Sequence, residues 1–260
     1  MTQLDWIDTH THLFVPEFDT DREQVVRRAM HEGVKAMMLP NIDWESIGAV
    51  DQLAEQFPLH VFPMMGLHPC SVKENYRDIL NQMQLKLEEG KYVGIGETGI
   101  DLYWDSTFKK EQIDAFEQHI HWGLQYALPV IIHSRESLDL NIEIIAGRQN
   151  GDLKGIFHCF TGTYDQAMKI AGLGFKIGIG GVLTYKKSDL PSVLGRVPPE
   201  ILVLETDSPY LTPVPFRGKR NESSYLPLIG KRLSEALGWP LEKVAQVTTE
   251  NANEVFGKKR

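Results

Sequence analysis

Short apolar runs of strand length recur along the chain, at residues 4–8, 34–40, 60–66, 92–97, 129–133, 155–158, 175–179 and 201–207. Most of the intervening stretches are long enough for crossover helices. In one of them Val25, Val26, Ala29 and Met30 form a stripe, and in another Ile113, Phe116, Ile120 and Leu124 recur at helical spacing. Gly33 and Pro129, which follow these stretches, are suitable helix stops. About eight strands, each followed by a helix-sized segment over roughly 250 residues, predict an α/β fold of the (β/α)8 TIM-barrel type. The alternation by itself also suits an open doubly wound sheet, and the polar residues choose between the two.

The first run leads into Asp8-Thr9-His10-Thr11-His12, where strand alternation puts Asp8, His10 and His12 on one face. Two imidazoles so placed can grip a metal, although an isolated pair is as easily a hydrogen-bonded strand cap. The pattern recurs, however: Glu97 closes the run at 92–97, His133 that at 129–133, His158 that at 155–158 and Asp207 the last. A carbonyl partner explains one strand-end histidine, but not a polar terminus on strand after strand. In a barrel these ends converge on one mouth, whereas an open sheet splays them apart. The expected fold is therefore a TIM barrel of the metal-dependent hydrolase type.

His10, His12, His133, His158, Glu97 and Asp207 exceed the three or four protein ligands of a single zinc site. Two divalent ions sharing one carboxylate is the economical arrangement. Glu97, central in chain order, is the expected bridge. His10, His12, Glu97 and Asp207 would hold one ion, and Glu97, His133 and His158 the other. Such ions, roughly 3.5–4 Å apart, lower the pKa of a water between them and neutralise charge on the substrate. Asp207 is placed to take the proton, so Asp207 and Glu97 carry the expected catalytic roles. Imidazoles favour Zn2+ or Mn2+ and carboxylates beside phosphates favour Mg2+, which leaves the ion open among the three.

With 42% apolar and 24% charged residues in 260, the composition is that of a globular chain, expected to form one domain over 1–260. No basic start precedes an apolar run, and no run approaches the roughly 20 residues of a membrane span. The two cysteines, Cys70 and Cys159, are too few for a disulfide scaffold and are expected as free thiols in a cytoplasmic protein. Cys159 reads as a small buried thiol aimed away from His158. A net charge of −8 argues against coating nucleic acid through a broad basic surface, though not against a local basic site. Nothing signals a stable protein partner, and a monomer is expected.

A local basic site exists in the segment from 208 to 220, where Arg217, Lys219 and Arg220 lie among prolines and aromatics. Its prolines forbid a helix and stiffen a loop over the barrel mouth. Arginine takes phosphate oxygens in bidentate fashion, so Arg217 and Arg220 are expected substrate contacts. The alternative is a solvated charge run paired with Glu222 and nearby acids. His68, just past the run at 60–66, is expected to contact phosphate or to act as a general acid. Arg135, Asp101 and Glu205 read as supports for the ligands, and His31, His60, His119 and His121 as structural residues.

The stretches Asp8-Thr9-His10-Thr11-His12-Leu13, Gly94-Ile95-Gly96-Glu97-Thr98-Gly99, Pro129-Val130-Ile131-Ile132-His133-Ser134-Arg135 and His158-Cys159-Phe160-Thr161-Gly162 closely resemble motifs of the TatD family. So do Glu205-Thr206-Asp207-Ser208-Pro209-Tyr210-Leu211 and the run from Pro215 to Glu222. The resemblance spans essentially the whole chain. It implies a TIM barrel, a binuclear metal site with the ligands named above, and hydrolysis of phosphodiester bonds in DNA. Many members follow Gly-x-His-Pro with a further histidine, whereas this chain has Gly66-Leu67-His68-Pro69-Cys70 and so lacks that contact.

The leading expectation is a metal-dependent phosphodiesterase that removes nucleotides from DNA ends. A hydrolase that turns the same metals on an ester, amide or lactone carbonyl is the first alternative. A non-catalytic protein holding its metals structurally is the second.

Overall fold

Strand alternation sorts the apolar residues of this chain onto two sides of a closed sheet. In the computed structural model, which describes residues 3–104 and 106–257, the strands are β1 (Trp6–Asp8), β2 (Val34–Pro40), β3 (Val61–Met64), β4 (Ile95–Asp101), β5 (Val130–Arg135), β6 (Gly155–Phe157), β7 (Lys176–Ile179) and β8 (Leu202–Leu204). Ile7, Ala36, Met38, Met64, Ile131, Ile156 and Val203 pack together as one inner cluster. Their neighbours Trp6, Met37, Leu39, Ile132, Phe157, Ile177, Leu202 and Leu204 belong to the cluster shared with the helices. Each side chain fully removed from water contributes about 1.5–3 kcal/mol before entropy is counted.

The helices between strands are α1 (Arg22–His31), α2 (Ile47–Gln56), α3 (Tyr76–Leu87), α4 (Lys109–Gln125), α5 (Leu138–Arg148), α6 (Tyr164–Gly172) and α7 (Leu190–Leu194), with α8 (Leu226–Leu237) and α9 (Leu241–Phe256) after the last strand. Val25, Val26 and Ala29 are the buried stripe of α1, and Phe116 and Ile120 lie in that of α4. Gly33 ends the first helical stretch with φ +90°, a conformation that costs a side chain dearly. Ala252, Val255 and Phe256 of α9 join the inner cluster.

All ladders are parallel, β1 to β3 in one set and β4 to β8 in the other. A few hydrogen bonds close the ring between the sets. Met65 N–H donates to Gly94 O (3.1 Å) and Gly96 N–H to Met65 O (2.8 Å) at one seam, and Thr9 N–H donates to Leu204 O (3.1 Å) at the other. The result is the TIM barrel, and the open-sheet alternative falls.

Three strands depart most from the expected boundaries: β8 stops at Leu204, three residues before Asp207, β5 runs on past His133 to Arg135, and β4 is displaced as a whole. The run at 92–97 becomes β4 at Ile95–Asp101, so Glu97 lies inside the strand and Asp101 ends it. Gly94, Gly96 and Gly99 hide this strand in the sequence, since glycine is a poor strand former. The proline-rich segment after β8 runs without α-helix or strand until Leu226, where Pro227 sits in the first turn of α8. Among the described residues no helix is long and apolar enough to cross a membrane.

Candidate metal centre

Past the end of β1 the chain threads between its two neighbours in the ring. Thr11 N–H donates to Met38 O at 3.1 Å, His12 N–H to Ser208 O at 2.8 Å, and Asp207 N–H returns to His10 O at 2.9 Å. These bonds hold the two imidazoles at the mouth, with His10 Nε2 and His12 Nε2 3.1 Å apart. Asp8 does not join them, because its carboxylate accepts from Thr206 N (2.9 Å) and Thr206 Oγ1 (2.6 Å) and ties β1 to the segment after β8. Burial pushes its carboxyl up to about 7 despite those bonds.

Glu97 divides its two oxygens between two sets of imidazoles. Oε2 lies 3.2 Å from His10 Nε2 and 3.3 Å from His12 Nε2. Oε1 lies 2.8 Å from His133 Nδ1, 2.8 Å from His158 Nε2 and 3.4 Å from His68 Nε2. Asp207 adds Oδ1 at 3.4 Å from His12 Nε2 and 3.7 Å from His10 Nε2. Asp207 and Cys159, the latter just after His158, take left-handed backbone with φ 53° and 48°. Conformations of this kind persist where surrounding structure enforces them, commonly at active sites.

Carboxylates brace the imidazoles from outside. Asp101 Oδ2 lies 2.9 Å from His133 Nε2, which leaves Nδ1 facing Glu97. Glu205 accepts from Cys159 N–H at 2.5 Å and places Oε1 3.7 Å from His158 Nδ1. His68 accepts Cys70 N–H on Nδ1 at 3.1 Å, so its neutral ring carries the proton on Nε2, toward Glu97.

The electrostatics favour positive charge. Burial opposes ionisation of Glu97, yet the charges of His158, His68 and His10 hold its carboxyl well below the usual range. Burial likewise opposes a charge on His12, but hydrogen bonds to Asp207 and Glu97 raise it to about 9. Against the same penalty, Glu97 and Glu205 carry His158 well above the ordinary histidine value. Burial and the neighbouring His158 depress His10 instead.

Ligands of a divalent ion must be deprotonated, so a cation bound among these groups would displace the protons of His12 and His158. Among the described residues three trios offer ligand atoms within 4.8 Å of one another: His10, His12 and Glu97; His10, His158 and Asp207; His68, Glu97 and His133. Nitrogen and carboxylate oxygen are donors that suit a divalent ion. The third trio brings His68 to the centre beside Glu97 and His133, where its Nε2 could serve as a ligand only with the proton moved to Nδ1 and the Cys70 contact given up.

A cavity of about 840 Å3 opens over the centre, lined by His12, His68, Glu97, Asp101, His133, His158 and Asp207 together with Cys70, Trp104, Arg135, Cys159, Tyr210 and Leu211. Cys159 is half-buried there rather than sealed in the core. Neither expected arginine of the proline-rich loop is among the described residues lining the cavity. The Arg220 guanidinium pairs with Asp21 through both nitrogens, at 2.8 and 2.7 Å, and Arg217 lies 4.2 Å over the Tyr185 ring. The charged alternative for this loop holds for Arg220, though with Asp21 as its partner while Glu222 pairs with Arg28. Among the described residues lining the cavity the cation is Arg135, which lies 4.0 Å over Tyr103 and 5.1 Å over Trp104.

Comparison with known proteins agrees with this geometry. The family described as TatD related DNase matches residues 7–257. The uncharacterized metal-dependent hydrolase YabD of Bacillus subtilis is 34% identical over 250 residues, covering 96% of this chain and 98% of its own. The crystal structure of YjjV, a TatD homolog from Escherichia coli, superposes with a TM-score of 0.93 at 30% identity, covering 99% of this chain and 100% of that one. The 3'-5' ssDNA/RNA exonuclease TatD of Pectobacterium parmentieri is 29% identical over 255 residues, covering 96% of this chain and 98% of its own. On the match along its barrel and the residues gathered at its mouth, the chain belongs to the TatD-related DNase family of metal-dependent hydrolases.

Proposed function

We propose that this chain is a two-metal phosphodiesterase that removes nucleotides from nucleic-acid ends. The observation that carries the reading is the divided Glu97 carboxylate, with His10 and His12 on Oε2 and His133 and His158 on Oε1. His10, His12, Glu97 and Asp207 would hold one divalent ion, and Glu97, His133 and His158 the other. Bound there, Zn2+, Mn2+ or Mg2+ supplies Lewis-acid charge at the reacting phosphate and makes a nearby water more acidic.

The chain's own groups do the rest. Asp207 accepts a proton on its carboxylate, which His12, His10 and His158 keep ionised against the penalty of burial. His68 presents its Nε2 proton to the phosphate or the leaving oxygen. Asp101 fixes which nitrogen of His133 faces the centre. The relative named as a 3'-5' ssDNA/RNA exonuclease supports nucleic acid as the substrate.

The test is cleavage of end-labelled single-stranded DNA with Mg2+ or Mn2+ by the wild type, Glu97→Ala and Asp207→Asn. Both variants are expected to lose about 10²- to 10⁴-fold or more in rate. Undiminished cleavage by Glu97→Ala would defeat the mechanism. A second reading, hydrolysis of an ester, amide or lactone carbonyl, draws support from Arg220, whose guanidinium is committed to Asp21. Turnover of carbonyl esters with none of any nucleic acid would favour it.

A further inference from the structure

We infer that Tyr103, Trp104 and Arg135, with Tyr210 on the rim of the same cavity, form a stacking site for an unpaired nucleobase at the end of a single strand, an inference that rests on the nuclease reading above. Large aromatic side chains normally bury most of their area. Here Trp104 is 67% exposed, Tyr103 51% and Tyr210 50%, and all three follow strand ends at the barrel mouth. Trp104, Arg135 and Tyr210 line the same cavity as the metal centre. Trp104 follows β4 and Tyr210 follows β8, strands four places apart in the eight-strand ring, so the two reach the cavity from different parts of its rim.

The platform is built, not incidental. The Tyr103 and Trp104 rings meet edge to face at 5.0 Å, and Arg135 lies over both. Their backbone N–H groups donate to Asp101 Oδ1 at 2.9 and 3.1 Å, while the other oxygen of the same carboxylate holds His133. One aspartate therefore sets the distance between the aromatic faces and the metal centre. Every base has a π-face, and an arginine stacked on an aromatic keeps its N–H edges for phosphate.

This site also answers the charge problem. A chain of net charge −8 cannot rely on a basic surface to hold a polyanion. Stacking on neutral aromatics supplies affinity that charge does not. It also selects strands, because the bases inside a duplex have both faces covered.

The experiment compares wild type, Trp104→Ala, Trp104→Phe and Tyr210→Ala on a single-stranded DNA and on the same strand with abasic sites at its terminal nucleotides. A phosphorothioate strand that resists cleavage is titrated in parallel against tryptophan fluorescence, with Trp104→Phe identifying that residue's signal. Wild type is expected to bind the intact strand with about 5- to 100-fold lower KM than Trp104→Ala. Wild type should weaken on the abasic strand, and Trp104→Ala should not distinguish the two. Cleavage with the same KM in wild type and Trp104→Ala, on both strands, would overturn the stacking site and leave the nuclease reading standing. No cleavage of any nucleic acid, with quenching confined to Trp104, would overturn the nuclease reading and keep base binding. No cleavage and no quenching would overturn both.

Discussion

Glu205 occupies the space that Gly178 leaves by having no side chain: a Cβ at position 178 would lie 2.0 Å from Glu205 Oε2 and 3.1 Å from the His158 Cα. Gly178 belongs to β7, the neighbour of both β6 and β8, so a bare strand position lets a buried carboxylate reach across to the turn that carries His158. Gly178→Ala is expected to lower stability by about 1–3 kcal/mol through overpacking. It should also weaken metal binding, because Glu205 must leave His158 and Cys159. Glu205→Gln keeps the volume and removes the charge, and is expected to lose about 10- to 100-fold in metal affinity. Calorimetric titration with Mn2+ or Zn2+ reads both variants, and wild-type affinity in both would show that Glu205 does not position the ligand.

Asp101 serves two neighbours with two oxygens, and its variants separate them. Burial would raise its carboxyl, but the bonds from His133 and from the Trp104 and Tyr103 amides bring it down to about 2. Asp101→Asn keeps an acceptor for the amides while removing the charge beside His133. It is expected to lower metal affinity about 10- to 100-fold with little change in KM for a single strand. Asp101→Ala releases the aromatic loop as well, so its KM should rise in addition. Equal KM in the two variants, measured at saturating metal, would argue that Asp101 does not hold the platform.

How far the site could be read from the chain depended on how local its signals are. His10, His12, His133, His158 and Asp207 announce themselves because an apolar run ends on each polar residue or leads directly into it. Glu97 was legible by type but not by place, since the glycines around it mask a strand that continues to Asp101. Trp104 carried no signal, and Arg135, read as a support for the ligands, lies instead over Tyr103 and Trp104, because their meeting depends on how the segments after Glu97 and His133 fold against each other. The pairing of Arg220 with Asp21 was hidden for the same reason, the two lying 199 residues apart.

The Arg220–Asp21 pair has a measurable consequence. Arg220 spans from Asp21 to the Glu17 carbonyl and lies 4.5 Å over the Phe18 ring, pinning the proline-rich loop to the segment before α1. Arg220→Ala is expected to cost about 1 kcal/mol of stability, as a partly exposed pair does. It should change the KM for single-stranded DNA less than about twofold, and thermal denaturation beside steady-state kinetics checks both. A tenfold rise in KM with unchanged stability would return Arg220 to the substrate.

The clearest pH effect on stability lies away from the metal centre, at His119. Its Nδ1–H donates to Ala115 O at 2.6 Å and its Nε2 accepts Leu67 N–H at 2.9 Å, next to His68. Both nitrogens are used in the neutral ring, and a proton on Nε2 would face a donor. Burial lowers its pKa from 6.5 to about 4, against a smaller upward pull from the Ala115 carbonyl. The unfolded chain thus binds a proton that the folded one refuses. Stability from this residue is complete above pH 6.5 and is lost as pH falls toward 4. At roughly 1.36 kcal/mol per pK unit, the loss amounts to about 3 kcal/mol over the whole window and about 2 kcal/mol by pH 5. His119→Gln does not titrate, while the metal-centre histidines contribute equally to both proteins. Urea unfolding at pH 7 and pH 5 should therefore cost the wild type about 2 kcal/mol more than the variant. Parallel losses would mean that His119 accepts a proton in the folded state as readily as in the unfolded chain, and that the Leu67 amide does not depend on its lone pair.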